Sequence, residues 1–147
     1  MDKTTVYIKK LRDNAIIPTK GSIAAAGYDV YACLDSDVYI NPGENVKIGT
    51  GIAVEFSNDY WMGIYARSGL ATKKGLRPAN CVGVVDPDYR GEIIVALYND
   101  SNKTQIISHG DRIAQLIITK KEDWDIIETD SLNDTFRGDG GFGSTGE

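Results

Sequence analysis

At 147 residues, with a formal charge of −5 and both signs scattered along it, the chain suits one domain with a proper core. That balance excludes a polybasic surface for duplex nucleic acid or anionic membrane. No apolar run approaches the roughly 20 residues needed to span a bilayer, and the opening residues carry no apolar signal region, so a soluble cytoplasmic protein is expected.

Alternation of apolar and polar residues dominates the chain. Residues 5–11, 28–34 and 37–40 read as strands, followed by a turn at Asn41-Pro42-Gly43-Glu44. Val46, Ile48, Ile52, Val54 and Phe56 all fall on even positions, with Gly49 and Gly51 interrupting; this predicts a half-buried strand with a bulge. Residues 62–66 read as a strand. Residues 69–74 are the one stretch that predicts helical turns, with Ser68 as N-cap and Gly75 as its stop. Strands are predicted again at 91–99 and 112–120, with turns at 99–102 and 109–111. Many short strands with almost no helix predict an all-β sandwich or jelly roll. Cys33 and Cys81 are too few for a disulfide scaffold and are expected as free, packed thiols. His109 is the single histidine, so a His-based zinc site or a Ser-His-Asp triad is poorly supported.

Unusual polar residues gather in five clusters. In Ala25-Ala26-Gly27-Tyr28-Asp29, Asp29 opens an apolar strand, which is equally a strand-start carboxylate bonding a turn. In Tyr65-Ala66-Arg67-Ser68-Gly69-Leu70 a strand ends in a cation and a hydroxyl and then turns into the short helix; this suits an oxyanion, or is an ordinary capped turn. Residues 80–91 read as a hairpin from Asn80 through Asp86 and Tyr89 to Gly91. Asp86 ends a hydrophobic strand, where a carboxylate can act as general base on a water. Gln115 interrupts an aliphatic strand, so its amide is expected to have a specific partner.

The fifth cluster is the tail, with five glycines among its last eleven residues and no resemblance to a strand–helix phosphate loop in context. Arg137, Ser144, Thr145 and the backbone suit phosphate oxygens, and Phe142 suits the face of a base. Such a segment reads as a lid that orders on a ligand, or as a frayed end.

Taken in order, Ala26-Gly27-Tyr28-Asp29, Ala66-Arg67-Ser68-Gly69-Leu70, Gly83-Val84-Val85-Asp86-x-x-Tyr89-Arg90-Gly91, Gly110-Asp111-Arg112-Ile113-Ala114-Gln115-Leu116 and Arg137-Gly138-x-Gly140-Gly141-Phe142-Gly143-Ser144-Thr145-Gly146 resemble the five motifs of the trimeric dUTPases. The resemblance covers about residues 17 to 146 and implies a β jelly-roll core over residues 1–130. It also implies a flexible arm over 131–147 that completes an active site of a neighbouring subunit in a homotrimer. The implied reaction is hydrolysis of dUTP to dUMP and pyrophosphate, which keeps uracil out of DNA and supplies dUMP for thymidylate synthesis. By resemblance Asp86 is the base on the attacking water, and Asp29 meets Mg2+ through water. Arg67, Ser68, Gly69 and Gln115 hold the phosphates; Asn80, Gly83 and Val84 read uracil; Tyr89 lies beneath the deoxyribose. Phe142 and Gly143 close over the base, with Arg137, Ser144 and Thr145 on the γ-phosphate. One subunit is expected to give the Asp29 and Asn80–Tyr89 motifs, a second the Arg67 and Gln115 motifs, and a third the tail. A dCTP deaminase and a regulatory protein on the same scaffold are the alternatives. Deamination needs a pocket glutamate, and Glu92 is the one in the corresponding strand.

Overall fold

The computed structural model describes residues 3–144 and 146. In chain order its strands are β1 (Tyr7–Lys10), β2 (Tyr28–Tyr31), β3 (Val38–Ile40), β4 (Asn45–Gly49), β5 (Ile52–Glu55) and β6 (Tyr60–Tyr65). The one helix among the described residues, α1 (Ser68–Lys74), follows, and then β7 (Leu76–Pro78), β8 (Gly83–Val85), β9 (Ile94–Asn99), β10 (Gln105–Ile107) and β11 (Arg112–Lys120). Every strand pair is antiparallel, in sheets ordered β2-β11-β6-β8, β4-β9-β7, β1-β5 and β10-β3. The all-β expectation holds.

Why the strands stack is visible in β9, whose Val95, Leu97 and Asn99 are buried while the residues between them are less so. Period-two alternation turns one face inward. There these residues meet Ile40, Ile48, Ile52, Ile107 and Ile113 in a single apolar cluster. Each fully buried aliphatic side chain of this kind contributes about 1.5–3 kcal/mol relative to exposure. Asn99 is, with Thr50, a polar member of the interior, and it is satisfied. Its amide donates to the Ile40 and Lys103 carbonyls at 2.8 and 2.7 Å, and its Oδ1 accepts from the Ser101 amide and hydroxyl.

Three expectations are corrected. Residues 45–56 are two strands in two sheets, not one bulged strand. At Thr50 and Gly51 the chain crosses over: Gly51 adopts φ +70°, and Thr50, fully buried, donates its hydroxyl to the Ile93 carbonyl at 2.5 Å. Even-position alternation survives the crossover, which is why the sequence looked continuous. The sheet irregularity lies instead in β11, where the register with β2 shifts between Arg112 and Ala114 and puts both Ile113 and Ala114 inside. Second, β8 does not pair with β9 as a hairpin; β8 pairs with β6, and β9 with β4 and β7. Third, Ser68 is the first residue of α1 rather than its cap. Arg67 occupies the cap position with extended backbone, and no side chain caps the helix. Gly75 does end it, in the left-handed conformation at φ +68°.

Both cysteines are free, but only Cys33 is buried, donating to Asn14 Oδ1 at 3.2 Å; Cys81 is exposed, in a left-handed backbone conformation at φ +65°. His109 is exposed, as a turn residue should be, and its Nδ1 accepts from the Leu34 amide at 3.1 Å.

A polar knot anchors the crossover. Arg12, in the loop after β1, donates through both Nη atoms to the Glu92 carboxylate at 3.0 and 2.9 Å, and Glu92 also accepts from the Gly51 amide at 3.0 Å. A Cβ at Gly49 would overlap the same carboxylate, so only glycine leaves room for the pair. The Arg12 guanidinium, opposed by partial burial, holds the Glu92 carboxyl below its ordinary range. A carboxyl depressed in the folded state contributes stability above its unfolded pKa and loses it as pH falls through the folded value. Urea midpoints should therefore decline between neutrality and the acid range, and Glu92→Gln should be less stable at neutrality with a shallower decline. A variant that titrates with the wild-type slope would contradict this account of the knot.

Candidate active site

Two groups of functional residues stand on the four-stranded sheet, one near each edge. The first gathers around Asp29 in β2. Its neighbour β11 brings Gln115 into register opposite Asp29 and, on its other side, opposite Tyr65 of β6. The chain leaving β6 then delivers Arg67, whose Nε donates to Asp29 Oδ1 at 2.9 Å. Arg112 approaches the other carboxylate oxygen at 3.5 Å, which the bulge at Ile113 permits. Gln115 donates its amide to the Ala66 carbonyl at 2.9 Å, and so steadies the backbone that presents Arg67. The specific partner expected for this amide is there. Gly27 lies close under β11; a Cβ there would come within 2.9 Å of the Leu116 carbonyl, so the Ala-Gly-Tyr-Asp turn needs its glycine.

Beside this group opens a cleft of about 440 Å3 lined by Arg67, Gly69, Lys73, Lys74 and Arg112, with Asp111 among its walls. Four cations against so few carboxylates give a field suited to a polyphosphate. Ser68 and Gly69 are exposed at its rim, at the start of α1. Asp29 is mostly shielded, its side chain 15% exposed, and both its oxygens face guanidinium groups. Among the described residues no cluster of three or more metal-ligating His, Cys, Asp or Glu side chains occurs. Asp29 is the carboxylate of this group, so a hard cation placed here would take most of its ligands from phosphate and water.

The second group surrounds β8, the far edge strand of the sheet. A cleft of about 220 Å3 is lined by Asn80, Gly83, Val84, Asp86, Tyr89 and Glu92, among others. Because β8 pairs on one side only, its other row of N–H and C=O groups is left to a ligand, and a flat ring with a donor–acceptor edge can take a strand's place. Asp86 follows directly after β8 and is exposed at the cleft. The turn beyond it is tightly held. The Tyr89 amide donates to the Asp86 carbonyl at 3.1 Å, Arg90 donates to the Pro87 carbonyl at 2.7 Å, and the Tyr89 hydroxyl donates to the Glu92 carbonyl at 2.9 Å. A Cβ at Gly91 would overlap the Tyr89 ring, so glycine there lets the tyrosine fold back.

Among the described residues, no hydrogen bond joins the tail to either group. Arg137, Phe142, Gly143 and Ser144 are exposed, and their bonds are local: Arg137 Nε donates to the Gly140 carbonyl at 2.7 Å, and the Ser144 amide to Gly141 at 2.9 Å. Thr145 lies outside the described residues. Upstream, Trp124, Ile126, Ile127, Leu132 and Phe136 are all largely exposed.

The division of motifs among subunits needs correction. Asp29 and Arg67 form an ion pair within one chain, and Gln115 lies between their strands, so these three act as one unit. The Asn80–Tyr89 cleft is the separate element, three strand spacings or about 14 Å from Asp29 across the sheet. The deaminase alternative also loses its acid, because Glu92 is engaged by Arg12 and Gly51 and its carboxyl is held ionised. Lys73, Lys74 and Arg112 line the basic cleft without having been singled out in the sequence, and neither was Arg12, which lies outside it. Arg112 stands inside a recognised motif, but nothing local marks Arg12, whose partner is 80 residues away.

The sequence model of the dUTPase family matches residues 13–146. The deoxyuridine 5'-triphosphate nucleotidohydrolase of Hydrogenobaculum sp. (strain Y04AAS1) is 47% identical over 141 residues, spanning 96% of this chain and 97% of its own length. The protein of the same name from Nautilia profundicola is 48% identical over 140 residues, spanning 95% and 97% respectively. Among solved structures, a dUTPase variant of Staphylococcus bacteriophage 80alpha with dUpNHpp superposes with a TM-score of 0.87 at 25% identity, over 97% of this chain and 99% of that one.

Proposed function

This chain belongs to the dUTPase family and hydrolyses dUTP to dUMP, and we propose that it does so by directing a water from Asp86 at the α-phosphorus. The observation that carries the assignment of the base is the place of Asp86, an exposed carboxylate fixed at the end of β8 and at the mouth of the cleft. A base must be held within hydrogen-bond reach of the proton it takes, and the locked Asp86–Tyr89 turn supports that fixity. Attack at the α-phosphorus forms a new P–O bond, breaks the bridging bond to the β-phosphate, and releases pyrophosphate; the water's proton passes to the Asp86 carboxylate.

Uracil would lie along the open edge of β8. There the backbone of Gly83 and Val84 and the amide of Asn80 offer donors and acceptors to its edge, while close strand walls exclude a thymine methyl. Tyr89 would sit beneath the deoxyribose. Arg67, Ser68, the Gly69 backbone and Gln115 would hold the phosphates and offset the charge that develops on the leaving pyrophosphate. Mg2+ would enter with the nucleotide, its ligands supplied by phosphates and water, with Asp29 in contact only through water. On the triphosphate it supplies positive charge. Asp29 meanwhile keeps Arg67 aimed at the basic cleft.

The two groups stand near opposite edges of one sheet, which supports a site shared between subunits. In that arrangement Asp29, Arg67 and Gln115 come from one subunit and the Asn80–Tyr89 cleft from a second. The tail would come from a third, with Phe142 over the base and Arg137, Ser144 and Thr145 on the γ-phosphate. The apolar residues exposed at 124–136 support docking of this segment on another copy, and hence a homotrimer. Residues 131–147 would then be a flexible arm that orders on the bound triphosphate. No described helix is long and apolar enough to cross a membrane, and a cytoplasmic site of action fits the substrate. Pyrophosphate release from dUTP, dCTP, dTTP and UTP, measured side by side with Mg2+, tests the reading. Release selective for dUTP is expected, whereas equal release from dTTP would rule out the edge-strand account of base choice.

A further inference from the structure

The Arg12–Glu92 pair has no part in the chemistry described above, yet it ends at the sugar side of the uracil cleft. Glu92 links three other parts of the fold. Its carboxylate takes both Nη atoms of Arg12 and the Gly51 amide, and its carbonyl takes the Tyr89 hydroxyl at 2.9 Å. Its neighbour Ile93 is fastened to the same crossover: its amide donates to the Ile52 carbonyl at 2.9 Å, and its carbonyl accepts from the Thr50 hydroxyl and amide. Residues 92 and 93 therefore cannot shift without moving the sheet crossover. The Tyr89 hydroxyl is thus tied to a carbonyl beside that crossover. On the other side, Arg12 is held by its own loop, where the Leu11 amide donates to the Gly51 carbonyl at 2.7 Å. Glycine at 49 and at 91 clears the space that the carboxylate and the tyrosine ring occupy.

We propose that Arg12 is a positioning residue for sugar selection: its bidentate grip on Glu92 fixes the carbonyl that holds Tyr89, and so fixes the floor on which the deoxyribose rests. The inference rests on the reading that Tyr89 lies beneath the sugar. A ring pinned at its hydroxyl cannot retreat to admit a ribose 2′-OH, and a ring whose anchor has slackened can. A planar fork on a carboxylate defines position as well as distance, which a single-point contact does not. Lysine at residue 12 would keep the charge and lose the fork. Discrimination between two sugars differing by one hydroxyl depends on sub-ångström placement, and a misplacement of 1 Å can change rates about 100-fold.

The test compares kcat and KM for dUTP and for UTP in the full chain, for wild type, Arg12→Ala, Arg12→Lys, Glu92→Gln and Tyr89→Ala. The two nucleotides carry the same charge, so their ratio is insensitive to general electrostatic changes. Arg12→Ala is expected to lower the dUTP-to-UTP ratio of kcat/KM about tenfold, chiefly by admitting UTP, while kcat on dUTP stays within about a factor of two. Arg12→Lys should recover part of the ratio, and Glu92→Gln should lower it as Arg12→Ala does. Should Arg12→Ala fail to fold, Arg12→Lys and Glu92→Gln carry the same comparison. A lower ratio in Tyr89→Ala with the wild-type ratio in the Arg12 and Glu92 variants would overturn the latch and leave the sugar reading standing. An unchanged ratio in Tyr89→Ala would overturn the sugar reading, and the latch with it. A fall in kcat on dUTP with the ratio preserved would reduce the pair to a structural brace.

Discussion

Replacing Asp86 by Asn should lower turnover of dUTP by about 10²–10⁴-fold, the range general-base catalysis supplies, while the trimmed charge leaves the fold intact. Asparagine matches the carboxylate in shape and keeps an acceptor oxygen, but it cannot take the proton that the attacking water must lose. The surroundings make this a clean substitution. The Asp86 side chain is exposed at the cleft and accepts no bond that the fold depends on among the described residues, since the turn is held through the Asp86 carbonyl and the Tyr89 amide. KM should move little, because the base acts on water and not on the nucleotide. Single-turnover hydrolysis monitored beside equilibrium binding of dUTP separates the two effects. Near-normal turnover in Asp86→Asn would remove the base from this account.

Deleting residues 137–147 should lower kcat/KM by at least about 100-fold and leave the remaining domain folded and associated as before. Among the described residues this segment makes only short-range bonds, so its loss takes nothing from the core. What is lost is the cation Arg137, the hydroxyls of Ser144 and Thr145, and the ring of Phe142, the groups proposed above to close on the triphosphate. Ordering five glycines is costly, so closure should depend on the full triphosphate. The deletion should therefore reduce turnover of dUTP far more than it weakens binding of dUMP. Circular dichroism and light scattering check the fold and the assembly. A truncated protein with undiminished kcat/KM would end the lid argument, and one that loses its assembly would assign the arm to subunit contact instead.

What was legible in the sequence, and what was not, follows from the range of the interactions. Asp29, Arg67, Asp86, Gln115 and Arg137 could be singled out because each is a polar group interrupting an apolar stretch or a turn, a signal carried by adjacent residues. The bond from Gln115 to the Ala66 carbonyl is the physical reason a polar amide is tolerated in β11. The bounds of β11 at residues 112–120 were legible because an aliphatic run there follows a turn signal at 109–111, although its bulge breaks the alternation. Pairing was a different matter. Alternation runs through Thr50 and Gly51 unbroken and conceals a change of sheet, since a strand's inward face is the same whichever partner lies beside it. The same blindness turned β8 and β9 into a hairpin, although their partners are β6 in one sheet and β4 and β7 in another. The Asp29–Arg67 pair spans 38 residues and the Arg12–Glu92 pair 80, and nothing in either local sequence announces the other member. Distribution of the motifs among subunits failed for that reason: it depends on which residues meet in one chain.

Hydrolysis of dUTP in heavy-oxygen-labelled water, with the label located by mass spectrometry in the two products, tests the central claim most directly. Water directed by Asp86 at the α-phosphorus places the label in the phosphate of dUMP and leaves pyrophosphate unlabelled. Label in pyrophosphate would mean attack at the β-phosphorus and would contradict the account.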